Sequence, residues 1–190
     1  MECYGPLLGY AAEHGPKHLA QDARGHSRER LFEYWRAEAD THDYVSRALL
    51  RPYVELLARL DIAPDRDRRP RQCPFCGGRP WIAARRPAPD AEAAQRLLYC
   101  ALCAGEWSVG RICCPGCGEA DPAKLPSFTE ASHPGVRIEA CESCRGYVKS
   151  IDLTRDAGAI AEVDDLVSIG LDLWASREGF ARLEPGLAGL

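Results

Sequence analysis

Apolar positions along the chain change their period twice. Between residues 27 and 60 they recur at helix spacing: Leu31, Tyr34, Trp35 and Ala39 first, then Val45, Leu49, Leu50, Val54, Leu57 and Leu60. Two helices are predicted. Ser27 is an N-cap candidate without a capping box, because Glu29 follows two residues on rather than three. Pro52 predicts a kink or break near Leu50 or Arg51, since it lacks an N–H and crowds the preceding turn. Residues 61–71 alternate Asp and Arg around Pro64 and Pro70 and read as a solvated linker. The period then shortens. Strand-like runs are predicted at 80–84, 96–99 and 107–109, and again at 124–129, 136–140 and 147–151. A loop over 152–161 leads to an amphipathic helix at 164–178. Its expected apolar face is Val163, Leu166, Val167, Leu171 and Trp174, with Asp164 and Asp165 favoured at its positive end and Gly179 as terminator. Residues 184–190 read as a frayed tail unless something holds them.

Composition narrows the class. With 190 residues, 46% apolar and 27% charged, the chain suits one ordinary domain or two small ones and is neither disordered nor fibrous. No apolar run approaches the roughly eighteen residues of a membrane helix, so no membrane insertion is expected. The first ten residues hold no Lys or Arg and so lack the basic region of a secretory signal. A cytoplasmic location is the resulting expectation. In a reducing compartment ten cysteines point to metal ligands or redox thiols rather than disulfides.

Eight of the ten form four C-x-x-C pairs: Cys73/Cys76, Cys100/Cys103, Cys114/Cys117 and Cys141/Cys144. Adding 41 to each position of the first half gives the second half. Cys-Pro-x-Cys-Gly opens both halves, with Gly77 and Gly118; Arg96 and Arg137 each precede the closing pair by four; Gly105 and Gly146 each follow it by two. One unit has been duplicated in tandem.

Two C-x-x-C turns can surround a metal tetrahedrally at about 2.3 Å per Zn–S bond. The eight cysteines are therefore candidate ligands for two metal ions per chain, iron or zinc, since tetrahedral sulfur suits both. Pairing within each half follows from the repeat, while a cross-brace of first pair with third is compatible with the spacing. Glycines beside the ligands let amide N–H groups point at sulfur. Residues 73–150 contain only ten Val, Ile or Leu, too few to fold two such ribbons alone, so the metal supplies the missing core. Losing one ligand of the first set should then unfold mainly that ribbon. The fold class expected is α+β: a short N-terminal helical region and linker (1–72), two rubredoxin-like or zinc-ribbon units (73–110 and 111–152), and a C-terminal helix with its tail (153–190).

Four closed thiolates leave no open coordination position, and the sequence shows no phosphate loop, nucleophile elbow or Ser/His/Asp grouping. A non-enzymatic protein is expected. Cys3 and Cys113 fall outside the repeat; Cys113 reads as a small filler beside a ligand, with a competing ligand as the alternative. His133 reads as a solvated loop residue, and His14, His18, His26 and His42 show no ligand spacing. Net charge is −4, and two divalent ions on eight thiolates would take it to −8. The segment 73–150 carries 9 basic and 8 acidic residues, and 151–190 carries 3 and 8, so a polyanionic partner such as nucleic acid is disfavoured.

The stretches CPFCGGRP (73–80), RLLYCALCAGEW (96–107), RICCPGCG (111–118), CESCRGYVKSID (141–152) and VDDLVSIGLDLWASREGF (163–180) together resemble the FdhE-type formate dehydrogenase accessory proteins. The resemblance covers about 110 residues. It departs from the family in a shorter helical region before Cys73, in Cys113, and in the lack of a proline just before the DDL stretch. It implies rubredoxin-like, iron-binding ribbons in a cytoplasmic maturation protein. The partner implied is the catalytic subunit of a molybdenum-dependent respiratory formate dehydrogenase, with a homodimer left open. Two other uses of such ribbons are electron transfer and nucleic-acid binding.

Overall fold

The computed structural model describes residues 4–36, 43–65, 69–88, 94–156 and 158–189; Cys3, Ala39 and His42 lie outside these. Among the described residues four helices come first: α1 (Tyr4–His14), α2 (Lys17–Gly25), α3 (Arg28–Trp35) and α4 (Tyr44–Arg59). The last two follow the apolar period, with the Ser27 hydroxyl accepting from the Arg30 N–H at 3.2 Å and the Asp43 carboxylate accepting from the Ser46 N–H at 3.0 Å as caps. Helices α1 and α2 were not legible, because between them they bury only Leu8, Ala20 and Ala23. Helix α4 runs through Pro52 without ending. Val54, two residues later, is fully buried, so packing outweighs the lost N–H. His26 is buried between α1 and α4, with Nδ1 3.0 Å from the Tyr4 hydroxyl and Nε2 2.8 Å from the Ser46 hydroxyl.

Among the described residues seven strands form one sheet: β1 (Pro80–Arg86), β2 (Gln95–Cys100), β3 (Glu106–Ser108), β4 (Ser127–Thr129), β5 (Val136–Ala140), β6 (Gly146–Asp152) and β7 (Ala181–Arg182). Their order is β3-β2-β1-β6-β5-β4, with β7 also paired to β6. Each half of the duplication supplies three antiparallel strands, and the halves join through the parallel pair β1 and β6, Ile82 to Arg85 against Lys149 to Asp152. The duplicated strands differ in length for that reason. Interior β1 and β6 have seven residues, whereas edge strands β3 and β4 have three. Residues 122–124 form a 3-10 turn capped by Asp121, which shortens the expected 124–129 strand to β4.

One face of the sheet carries the main core. Ile82, Ala84, Leu97, Tyr99, Val136, Ile138, Ala140 and Ile151 pack there against Ala161, Leu171 and Ala175. Those last residues belong to α5 (Ala161–Val167) and α6 (Ile169–Arg177), which replace the single expected helix. The break at Ser168 has a visible cause. Lys149 Nζ donates to the Asp165 carbonyl at 2.6 Å and lies 3.2 Å from the Ser168 hydroxyl, so a side chain has entered the helix ladder. The expected apolar face is also largely reversed. Leu171 is buried and Trp174 is partly buried against the core, but Val163, Leu166 and Val167 are exposed. Beneath the helices lies a buried ion quartet instead: Lys149 contacts Asp165 at 3.0 Å and Asp172 at 2.6 Å, and Arg182 contacts the same two at 2.6 and 3.1 Å.

The C-terminal segment is anchored, not frayed, at its start. Glu184 is 1% exposed and accepts from the Tyr34 hydroxyl at 2.7 Å, while Arg47 donates to the Pro185 carbonyl and, at 3.3 Å, to the Ala101 carbonyl. Helices α3 and α4 are thereby tied to the sheet from a segment some 150 residues away. No helix among the described residues is long and apolar enough to cross a membrane.

The twin arginines of the repeat meet on one carboxylate. Arg96 of β2 reaches Glu139 Oε2 at 2.7 Å, and Arg137 of β5 reaches Oε1 at 2.6 Å, so one carboxylate clamps both halves. Glu139 is half-buried, which by itself disfavours its charge, but the two guanidiniums win and hold its carboxyl below the usual range. A depressed pKa gives stability that is present above the unfolded value, about 4.3, and is lost as pH falls through the folded one. Glu139→Gln should therefore lower stability at pH 7 by roughly 3 kcal/mol, leaving buried Arg96 without its counter-charge, and should flatten the acid limb of a stability–pH curve. Denaturant melts from pH 7 down to 3 measure both; parallel wild-type and variant curves would rule the clamp out.

Candidate metal centre

The sulfurs gather as two groups. Those of Cys73, Cys76, Cys100 and Cys103 lie within 4.8 Å of one another, and so do those of Cys114, Cys117, Cys141 and Cys144. The grouping is sequential within each half, not cross-braced. Closest approaches are 3.6 Å for Cys73–Cys103, 3.4 Å for Cys76–Cys100, and 3.7 Å for both Cys114–Cys144 and Cys117–Cys141. None of the nine described cysteines is in a disulfide. Sulfur separations of this size fit the edges of a tetrahedron around one ion with four thiolates.

Each knuckle is built by a turn that the repeat copies. The N–H of Cys73 donates to the Gly78 carbonyl and that of Cys114 to the Glu119 carbonyl, at 2.9 and 2.8 Å; Cys100 with Gly105 and Cys141 with Gly146 do the same, both at 2.9 Å. In the opening knuckles the chain turns through Gly77 and Gly118, with φ of 68° and 87°. In the closing knuckles the left-handed residue is not the expected glycine. It is Ala104 and Arg145, with φ of 56° and 54°, directly after the last cysteine. Gly105 and Gly146 are needed for space, since a Cβ there would lie 3.1 Å from Cys103 Sγ or 3.2 Å from Cys144 Sγ. Amide donors point at sulfur as the turn geometry requires: Gly78 to Cys76, Leu102 to Cys100, Gly105 to Cys103 and Gly116 to Cys114, each at 3.4 Å.

Four thiolates this close repel one another unless a cation lies between them. In the first group, hydrogen bonds from the Cys100 and Cys103 sulfurs pull the Cys73 thiol down, while the Cys103 and Cys73 sulfurs push Cys100 up. A cation in the middle resolves that conflict by taking all four as thiolates. In the second group burial pushes the Cys114 thiol up. Beside it the Glu119 carboxyl, bonded by the Ser143 hydroxyl and the Asp121 amide, is held down at about 2.

Their surroundings differ sharply. The first group is buried throughout, from 0% exposed at Cys76 and Cys100 to 6% at Cys103, and packs with Tyr34, Val54 and Leu102. Trp35, Phe75 and Trp107 close around it. In the second group Cys114 and Cys141 are buried, but Cys117 and Cys144 are exposed. Leu183 covers its inner side, where a Cβ on Gly116 or Gly146 would meet Leu183 Cδ2 at 2.7 Å.

Among the described residues, the other candidates stay outside both groups. Cys113 is half-buried, lies 3.6 Å from the Cys114 carbonyl, and lines a cleft of about 180 Å³ with Arg96, Arg111 and Arg137. His133 belongs to a turn, its N–H donating to the Glu130 carbonyl at 3.2 Å. Of the two acids opening the C-terminal helix, Asp164 sits in its first turn as expected, whereas Asp165 is buried in the ion quartet. Val163, Leu166, Val167, Ile169 and Leu173 form an exposed apolar strip on α5 and α6. Arg145, in the second centre's closing knuckle, donates to the Glu178 carbonyl and stacks 3.8 Å over the Phe180 ring, so α6 ends against that centre.

Residues 112–187 match the family model of the FdhE C-terminal domain. An FdhE homologue of Aquifex aeolicus is 34% identical over 117 residues, 62% of this chain and 41% of its own length. One from Pseudomonas aeruginosa is 37% identical over 119 residues, 60% and 38% of the two chains. One from Stutzerimonas stutzeri is 31% identical over 147 residues, 76% and 47%. The matched part thus spans less than half of these curated relatives. The crystal structure of the FdhE protein from Pseudomonas aeruginosa shares the fold with a TM-score of 0.65, 24% identity, and coverage of 97% of this chain and 69% of that one.

Proposed function

We propose, from the premise that this chain belongs to the FdhE-type proteins, that it is a non-enzymatic, cytoplasmic accessory protein in formate dehydrogenase maturation. On this reading it holds the enzyme's catalytic subunit transiently. The observation that carries it is the pair of closed four-cysteine groups, the second of them inside the stretch matched to the FdhE C-terminal domain, which together offer surfaces in place of a reacting centre. The residues fit a metal: two tetrads of sulfur ringed by amide donors. Iron or zinc would be held by Cys73, Cys76, Cys100 and Cys103, and by Cys114, Cys117, Cys141 and Cys144. Bound there, either would supply a rigid cross-link, and iron would add one-electron chemistry.

Two exposed features support a docking role. One is the open side of the second centre, and the other is the apolar strip on α5 and α6, whose end abuts that centre. Asp165 and Asp172 give these helices no acidic docking side, since both are paired inside. Nucleic-acid binding is disfavoured further, because Arg85, Arg86, Arg96, Arg137 and Arg145 each face a carboxylate. Electron transfer is the second reading, favoured by the exposure of Cys117 and Cys144. A visible spectrum with a reversible one-electron titration of the iron-loaded protein would distinguish it.

The test is capture of a formate dehydrogenase catalytic subunit by the full chain. Wild type should capture it. Leu166→Asp/Leu173→Asp, whose sites are already exposed, should bind roughly tenfold more weakly, and Arg85→Ala/Arg86→Ala should change little. Salt-sensitive binding of duplex DNA or RNA without subunit capture would overturn the reading.

A further inference from the structure

The duplication kept every ligand and changed what stands beside them. Adding 41 to the first centre's flanking residues turns Phe75 into Gly116, Gly78 into Glu119, Ala101 into Glu142, Leu102 into Ser143 and Ala104 into Arg145. Apolar or small residues became mostly charged or polar ones, while the turn hydrogen bonds stayed the same. The structure shows the consequence. Leu102 is 1% exposed in the core that closes the first centre, whereas Ser143 is exposed and bonds Glu119 at 2.5 Å. Helices α3 and α4 supply Tyr34, Trp35, Leu50 and Val54 to the first centre's cover. Around the second, Cys117, Glu142, Ser143, Cys144 and Arg145 are all exposed.

We propose that the two centres have different duties: the first is a permanently closed structural site, and the second is an exchange site that takes up and releases a thiophilic divalent ion. The inference rests on the metal-holding role given above but needs no partner. Release requires an incoming ligand to approach the metal while a thiolate leaves. At the second centre Cys117 and Cys144 lie in water, so an external donor can replace them stepwise; the four metal–sulfur bonds are exchanged for bonds to that donor, and the freed thiolates take protons from solvent. At the first centre no ligand sulfur can be reached without moving α3, α4 or Phe75. A chelator in solution and a soft ligand on a partner protein are chemically equivalent at this step.

The experiment loads the full chain with two equivalents of zinc and adds excess EDTA together with a maleimide. Released metal is followed over time, and labelled cysteines are mapped by peptide mass. One equivalent should leave at least about tenfold faster than the other, equivalent to roughly 1.4 kcal/mol in barrier. Early label should fall on Cys114, Cys117, Cys141 and Cys144, besides Cys113. Phe75→Ala should speed the slow phase and leave the fast one unchanged. A single release rate for both ions, or early labelling of Cys73, Cys76, Cys100 or Cys103, would overturn the proposal. Because no partner is present, that failure is separate from a failure of subunit capture.

Discussion

Cys100→Ser should cost the chain its first metal ion and its cooperative fold together. The duplication alone suggests loss of one ribbon, but the sheet does not divide there. Cys100 ends β2 opposite Pro80 of β1, and β1 pairs from Ile82 to Arg85 with β6 of the other half. Its sulfur, 3.4 Å from that of Cys76, sits in the cluster that also anchors α3 and α4 through Tyr34 and Val54. Metal binding in such units is worth roughly 10–16 kcal/mol, against total stabilities of roughly 5–15 kcal/mol, so losing one ligand of four removes a share comparable to the whole. Cys117→Ser, at the exposed centre, should lose the second ion with a much smaller drop in melting temperature. Metal analysis and thermal melting by circular dichroism of the two variants test this. A cooperative Cys100→Ser transition within a few degrees of wild type would show that the first centre does not hold the sheet together.

That contrast marks which parts of the molecule could be read in the sequence. Ligand candidates are local: a C-x-x-C turn presents both sulfurs from one knuckle, so all eight cysteines were legible as candidates, while the choice between sequential and cross-braced tetrads is made by the fold. Strands β1 to β6 were legible to within a few residues as short runs rich in strand-forming residues, whereas the two-residue β7 was not. The outer helices were less so. Helix α1 carries little buried surface, and the helix expected at 164–178 reads as amphipathic with Val163, Leu166 and Val167 inward, although those side chains are exposed. What turns them outward is not local. The helices dock through Asp165 and Asp172, whose partners Lys149 and Arg182 come from β6 and β7. No periodicity in the segment itself announces that two acids will be neutralised from elsewhere. Likewise the burial of Glu184 depends on Tyr34, 150 residues earlier in the chain. Differences between the centres were written in the flanking residues, Leu102 against Ser143 for instance, but acquire meaning only once α3 and α4 are seen to cover one of them.

The same quartet carries the second large effect. Lys149→Met should destabilise the chain by roughly 3–5 kcal/mol, because it leaves two carboxylates in a dry interface with one guanidinium between them. Lys149 is fully buried, and its ammonium also donates to the Asp165 carbonyl at the Ser168 break, so the loss includes a hydrogen bond as well as a charge. Asp172→Asn should cost less, since the amide oxygen can still accept from the Tyr147 hydroxyl, now 2.8 Å from the carboxylate. Combining the two changes should cost less than their sum, because the second removes one of the charges that the first left unbalanced. Urea unfolding of the wild type, both single variants and the double variant measures the cycle, with the midpoints moving and the slopes unchanged. Strict additivity, or a Lys149→Met loss below about 1 kcal/mol, would mean that the helices are held by their apolar contacts through Ala161, Leu171, Trp174 and Ala175. A large coupling would assign the acidic DDL stretch to holding the helices on the sheet, leaving the exposed Val163, Leu166 and Val167 beside it as the part of that stretch free to meet a partner.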